Sequence, residues 1–539
     1  MHAVVVVHGQ GADRSPGTFI ASVAHGIGGA LQAHGGAVRT RVMDEHGRAV
    51  AHLDVTTPTW HGAHPVRYRF VEAFWDRAFP PPSRSVVLRW SLASAYRQVR
   101  HSFSLLRDPA NRWRGGRWRP DADDEPWTPS AWVGLLFRIE LLLVGVALAF
   151  AWLLGVPLLG LLWLLSVLDG TPGLRLFGLW GRASDALRTL DPFLTRVLGD
   201  SERYVEHAHW AAAAREQVEV PLLELLAEDA VLDITLVAFS AGCGVAYDTL
   251  LDGGRAGDAW AARAASGLAP KKLTLITVGS AVNRYHLAST RAALPFPRRF
   301  ATRPLDPRIV GRRAAAATPE AQRAETERLR ARFFWLNVYA RLDPVPAGPV
   351  LAPLLAASAL DPEQLKERQV INFDNPLQDH GGYFTNAELV LPRLVRAMTG
   401  GDYPWPRRER GDAVVEAEMS AAQRGRADWA YDGARRRVPR VAGVQALRAA
   451  VGAAWLVHVA ALLVSARWRA ACSEAVQATG QWLADRLAPL EAFGALFAGD
   501  AFQVLAPAAG AALIVFGPLV LGLALERIWR ERSFPELDA

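Results

Sequence analysis

The sequence predicts an α/β protein: a mostly parallel sheet with helices on both faces. Two observations carry that expectation. Short, largely apolar runs recur at 4–7 (VVVV), 234–237 (ITLV), 273–278 (LTLITV), 332–339 (RFFWLNVY) and 369–373 (QVINF). Runs of this kind suit strands buried on both faces, as in parallel sheets. Helix-like stretches alternate with them, at 18–34, 241–251 and 384–399. A charged stretch opening at Thr318-Pro319 adds the N-cap and first-turn residues of a further helix. Strands alternating with helices imply crossover connections and a parallel sheet. No internal repeat is visible.

Composition narrows the function classes. The chain has 539 residues, room for about three or four structural units. Hydrophobic residues make up 51% and charged residues 21%, which excludes a disordered chain. Two cysteines, Cys243 and Cys472, exclude a disulfide scaffold and a thiolate zinc site. A net charge of +7 is a mild excess, and no zinc-finger, RNP or basic-zipper pattern accompanies it, so nucleic acid is not expected as a partner. Lys271, Lys272 and Lys366 are the lysines; the remaining basic charge is arginine.

The apolar residues are concentrated. Residues 141–168, 449–466 and 501–525 carry no charge. A membrane-spanning helix needs about 20 apolar residues. The last two segments are expected to be transmembrane helices. The first lies between the runs at 4–7 and 234–237, which must share one sheet and therefore one side of a membrane. A helical hairpin broken at Gly155-Val156-Pro157 satisfies that constraint. Met1 leads directly into Ala3–Val7 with no basic leader, so the soluble part is expected on the cytoplasmic side. Arg435, Arg436, Arg437, Arg440 and Arg448 before the middle segment, and Arg527, Arg530 and Arg532 after the last, agree with a positive-inside arrangement. Arg112, Trp113, Arg114, Arg117, Trp118 and Arg119 suit either an anionic membrane interface or a solvated loop.

The expected organisation is therefore an N-terminal part of the α/β domain at 1–98, an insertion at 99–200, the C-terminal part at 201–400, a basic linker at 401–448 and a membrane region with two transmembrane helices at 449–539.

Chemistry enters at Leu236-Val237-Ala238-Phe239-Ser240-Ala241-Gly242. A buried run leads into a serine flanked by small residues, and a helix follows. This is the strand–turn–helix setting of G-x-S-x-G, where small flanks allow a tight turn that exposes the serine oxygen. Ala238 stands in place of the first glycine. Candidate partners follow in the order acid, then histidine. Asp343 comes just past the run at 332–339, with Asp361 and Asp374 as other acids. His380 lies in Asp379-His380-Gly381-Gly382-Tyr383. A serine needs a base, and the base needs an acid to fix its tautomer. The loop His8-Gly9-Gln10-Gly11 can bring the N–H of Gln10 beside that of Ala241, two donors for an oxyanion. His8, Ser280 and Cys243 are expected to be structural. His458, in an apolar segment, is expected at a helix–helix contact. No metal-ligand spacing or nucleotide fingerprint is present, so neither metal nor cofactor is expected.

The pieces VVVVHGQG, ITLVAFSAGCGVAYDTL, LTLITVGSAV, WLNVYARLDPVP and DHGGYFTN resemble the α/β-hydrolase superfamily, in its lipase/esterase branch. They cover 4–11 and 234–386; the insertion and the tail lie outside. The resemblance implies that Ser240, Asp343 and His380 form a catalytic triad. It also implies that the antiparallel strands preceding this point in larger members are absent here. The expected activity is hydrolysis of carboxylic esters, with a lipid ester motivated by the apolar insertion. Two other readings compete: a noncatalytic membrane scaffold with a hydrolase fold, and a tethered esterase or thioesterase for soluble substrates.

Overall fold

The computed structural model describes most of residues 1–93, 199–288, 333–399 and 429–474, with isolated positions beyond them. The apolar segment 141–168, the Arg/Trp stretch at 112–119, the helix expected after Thr318-Pro319, Asp361, Asp374 and residues 501–521 lie outside the described residues. The chain divides into two units, Met1–Arg435 and Arg436–Ala539.

The first unit is built on an eight-stranded sheet. Its strands are β1 (His2–Val7), β2 (Ala37–Glu45), β3 (Arg48–Thr59), β4 (Gly62–Ala73), β5 (Asp233–Phe239), β6 (Lys272–Val278), β7 (Phe333–Ala340) and β8 (Leu365–Val370). Their order is β2-β3-β4-β1-β5-β6-β7-β8. Strands β4, β1, β5, β6, β7 and β8 run parallel, and β2, β3 and β4 form an antiparallel meander. The runs at 4–7 and 234–237 are direct neighbours, with Val5 opposite Leu236. Their shared sheet, inferred from the sequence, is thus observed.

The helices of this unit are α1 (Thr18–Ala33), α2 (Ala208–Ala227), α3 (Gly242–Thr249), α4 (Val282–Ala288) and α5 (Leu391–Thr399). Side chains alternate across a strand, so β1 buries valines on both faces. Val5, Val7, Leu236 and Leu275 join Val218, Leu222 and Leu225 of α2 in one core. Helices α1 and α5 pack on each other, α1 also against the meander and α5 against β6. Burial on both faces explains why these strands read as continuous apolar runs.

Three elements differ from the sequence-based expectation. The meander at 37–73 is absent from it. Its strands carry charge at alternate positions, as in Arg67-Tyr68-Arg69-Phe70, and that alternation is the signal for a half-solvated strand. Antiparallel strands are therefore present, but after β1 rather than before it. The last strand is Leu365–Val370 rather than 369–373. Pairing with β7 ends at Ala340–Val370, and beyond it the Phe373 amide donates to Asp379. At the edge of the sheet LKERQV needs no continuous apolar run. The helix expected at 384–399 begins at Leu391, because Asn386 holds the preceding turns by accepting from the Leu389 amide and donating to the Ile371 carbonyl.

Lys271 is a buried lysine, 3% exposed. Its ammonium donates to the carbonyl of Leu225 at 2.7 Å and to that of Glu228. It therefore satisfies the C-terminal end of α2, where free carbonyls and the helix dipole favour a cation.

The helix α6 (Trp429–Val464), most of which belongs to the second unit, begins inside the stretch expected to be a linker. It runs through 449–464 and ends at Ser465, so the expected separate helix at 449–466 is the second half of a longer element. Among the described residues no single helix is long and apolar enough to cross a membrane. One bent pair, Ala446–Leu462 with Ala466–Cys472, meets the length and composition together, with a bend of 106°. Trp468 Nε1 donates to His458 Nδ1 across this bend at 3.2 Å. His458 thus contacts the segment beyond its own helix. A methyl on Gly522 would stand 2.3 Å from Val451, and one on Gly443 would stand 3.7 Å from Trp529. Position 451 thus lies by 522 and position 443 by 529.

Replacing Lys271 by alanine removes a buried donor from the Leu225 and Glu228 carbonyls, the latter keeping the Val231 amide, and is expected to lower stability by about 1–3 kcal/mol. Lys272→Ala, at the partly exposed neighbour, is expected to change it by less than about 0.5 kcal/mol. Thermal unfolding of the two variants side by side measures the difference.

Candidate active site

Ser240 follows the last residue of β5 and precedes α3. Its φ is 53°, the single positive value among the described non-glycine residues. A left-handed non-glycine residue costs on the order of 1–2 kcal/mol and persists only where its surroundings fix it. They do so here. The Ser240 amide donates to Val278 at 3.0 Å, extending the β5–β6 ladder by one residue. Its carbonyl accepts from Ala281 at 3.0 Å and from Cys243 at 3.2 Å. Gly242 makes the turn possible: a methyl there would stand 2.3 Å from the His8 carbonyl and 2.7 Å from that of Val7. The end of β1 and the start of α3 therefore touch backbone to backbone. Ala238, where the motif has glycine, is fully buried beside Val7.

Three distant loops meet at this serine. Ser240 Oγ lies 2.8 Å from His380 Nε2, and His380 Nδ1 lies 2.9 Å from Asp343 Oδ2. An ionised carboxylate only accepts, so Nδ1 carries the proton and Nε2 accepts from the serine hydroxyl. Asp343 is fully buried, while a quarter of the His380 side chain is exposed. The other carboxylate oxygen accepts from the Val345 amide at 2.8 Å. The sequence-predicted serine, acid and base are thus brought together, in hydrogen-bonding order. Phe239 stacks on the imidazole with ring centroids 4.9 Å apart, restricting its rotation.

Several residues that the sequence reading did not single out hold this chain in place. Gly279, with φ 57°, lies under the acid–base pair: a methyl there would stand 3.2 Å from Asp343 Oδ2 and 3.2 Å from His380 Nδ1. From α4, Arg284 Nε donates to the Pro344 carbonyl at 3.0 Å and to that of Val345 at 3.1 Å. Asn283 donates to Pro346 at 3.0 Å and Pro349 at 2.9 Å. Two adjacent side chains thereby fix the loop that carries the acid. Burial pulls the Arg284 guanidinium down to about 10, against the opposing pull of Asp343, so it stays charged near neutrality. Asp379, also fully buried, accepts from the amides of Phe373 at 2.8 Å and Leu342 at 3.3 Å, and ties the histidine loop to the acid loop. The signal for these roles in the sequence is weak: each is a polar residue within a few positions of a candidate, and only the fold shows which way it bonds.

The remaining candidates fall as follows. Gln10 is the last described residue after β1, and its side-chain oxygen accepts from Ser201 at 3.0 Å. A methyl on Gly9 would stand 2.7 Å from Ser240 Cβ and 3.1 Å from the Phe239 ring, so this loop borders the serine. His8 is fully buried, stacks on Trp75 at 5.7 Å and bonds the Gly9 carbonyl at 2.6 Å, away from the triad atoms. Ser280 accepts from Val282 at 3.3 Å. Cys243 is buried under the elbow, its thiol pushed up to about 12 by burial, and is unreactive as a thiolate. Among the described residues no cluster of histidine, cysteine or carboxylate side chains could hold a metal ion.

Comparison of the chain with protein-family models, with curated proteins and with solved structures finds no match.

The left-handed serine separates two substitutions that both remove the hydroxyl. Ser240→Gly is expected to be about 1 kcal/mol more stable than Ser240→Ala, because glycine adopts this φ without strain. Equal unfolding midpoints in denaturant would show that the turn is unstrained. Gly242→Ala forces a methyl against two backbone carbonyls and is expected to cost at least about 2 kcal/mol by the same measurement.

Proposed function

We propose that this chain is a serine hydrolase of the α/β-hydrolase type that cleaves carboxylic esters. The observation that carries the proposal is the continuous Ser240–His380–Asp343 hydrogen-bond chain at the C-terminal edge of the parallel sheet, with the serine on a strained strand–turn–helix elbow. His380 accepts the Ser240 proton as the oxygen attacks the ester carbonyl. The developing oxyanion is received by the amides of Gln10 and Ala241. His380 then returns its proton to the departing alcohol, leaving an acyl-serine. Water, activated by the same imidazole, releases the acid and restores the serine. Asp343 keeps the proton on Nδ1 and stabilises the imidazolium, without itself accepting the proton. No step calls for a cofactor.

The substrate proposed is a lipid ester, and the enzyme is proposed to be membrane-anchored with its catalytic unit on the cytoplasmic side. Support comes from the second unit. Val457, Val464, Trp468, Leu525, Ile528 and Trp529 are all exposed there. An exposed apolar surface of this kind suits a lipid environment. Trp529 lies beside Gly443, and the sequence carries Arg440 and Arg530 close to these two positions. Arginine and tryptophan at one end of apolar helices suit a lipid headgroup layer.

A fluorophosphonate probe tests the catalytic reading. Detergent-solubilised full-length protein is expected to be labelled, and Ser240→Ala is not. Asp343→Asn is expected to slow labelling by about 10³-fold or more. Well-folded wild type that stays unlabelled both in detergent and in liposomes would overturn the reading. The lipid reading is tested separately: purified protein is expected to cleave acylglycerol or phospholipid esters in bilayers. Efficient cleavage of short soluble esters with no cleavage of lipid would replace it by a tethered esterase.

A further inference from the structure

We propose that Tyr383 is a positioning residue of this site: its hydroxyl shares the Asp343 oxygen that orients His380, and so sets how strongly His380 takes the serine proton. The catalytic consequence rests on the serine-hydrolase reading; the hydrogen-bond network does not.

Asp343 Oδ2 accepts two bonds, from His380 Nδ1 at 2.9 Å and from the Tyr383 hydroxyl at 2.6 Å. The phenol oxygen in turn accepts from the Ala340 amide at 2.7 Å. Ala340 is the last residue of β7 and is fixed by its pairing with Val370. A rigid amide thus polarises the phenol, and the phenol donates more strongly to the carboxylate. Tyr383 is fully buried, with its ring edge-on to His380 at 6.5 Å and to Phe239 at 6.2 Å. It has no freedom to turn away.

The phenol stays protonated over the range in which an imidazole titrates. Burial first, and then the charge of Asp343, push its pKa well above the ordinary tyrosine value. The other titratable groups around the pair are accounted for. Arg284 approaches from α4 and adds positive charge on the acid loop. Asp379, from the histidine loop, is bonded to the Leu342 and Phe373 amides. Cys243 lies beneath on α3, kept neutral by its burial.

Two donors on one oxygen compete for its charge. Without the hydroxyl, the carboxylate acts on the imidazolium alone and holds its proton harder. His380 becomes more basic, and a larger share of it is already protonated, unable to serve as base, at a given pH. A stronger donor at 383 has the opposite effect.

The test uses the full-length protein with Tyr383→Phe and, separately, with 3-fluorotyrosine at position 383, whose phenol is a stronger donor on an almost unchanged ring. The low-field proton resonance of His380 Nδ1–H, followed against pH, reads the histidine without any turnover. The pH dependence of fluorophosphonate labelling reads the serine. In Tyr383→Phe the histidine midpoint and the acidic limb of labelling are expected to rise together by about half a pH unit or more. In the fluorotyrosine protein both are expected to fall. Unchanged midpoints, or shifts in the same direction in both proteins, would overturn the proposal and leave Tyr383 a packing residue. Should Tyr383→Phe fail to fold, the fluorotyrosine protein alone decides, by whether its midpoint falls. Opposed NMR shifts in a protein whose serine never labels would keep this proposal and discard the hydrolase reading.

Discussion

A buried carboxylate organises this molecule. Asp343 has no access to water, and an isolated charge in such a place costs several kcal/mol. The cost is offset by three donors from two loops: the Val345 amide on its own loop, and His380 and Tyr383 from the loop after β8. Arg284 adds its charge while holding the carbonyls of Pro344 and Val345. Each donor satisfies the carboxylate only if its own loop is held in place. The compensation of one charge therefore ties the loop that follows β7 to the loop that follows β8.

The same constraint explains where the strain sits. Ser240 is held at a left-handed φ because its amide and carbonyl are both claimed, by Val278 on one side and by Ala281 and Cys243 on the other. The parallel register of β1, β5, β6 and β7 ends these strands along one edge. The serine, the acid and the Gly9–Gln10 loop all emerge from that edge. Strain at the elbow and charge at the acid are thus supported by one sheet, and His380 spans the gap between them.

The second unit obeys a different economy. Its described helices leave large apolar side chains at the surface, whereas the described residues of the first unit bury most of theirs. Gly522 lies against the Val451 side chain and Gly443 against that of Trp529.

Much of the sheet was legible from local chemistry. A strand covered on both faces must be apolar at every position, so VVVV, ITLV and LTLITV identify themselves. Ser240 was legible because a tight turn admits only small neighbours, and Asp343 and His380 because such acids and bases follow strand ends. The meander at 37–73 was not, since half-solvated strands alternate polar and apolar residues and resemble loops when scanned for apolar runs. Nor were Tyr383, Arg284, Asp379 and Gly279 legible as parts of the site. What the sequence by itself determined was which residue types stand where strands end. The tertiary structure alone decided which of them share one carboxylate, because a hydrogen bond depends on distance and direction in space, and neither is encoded in the spacing of residues along the chain.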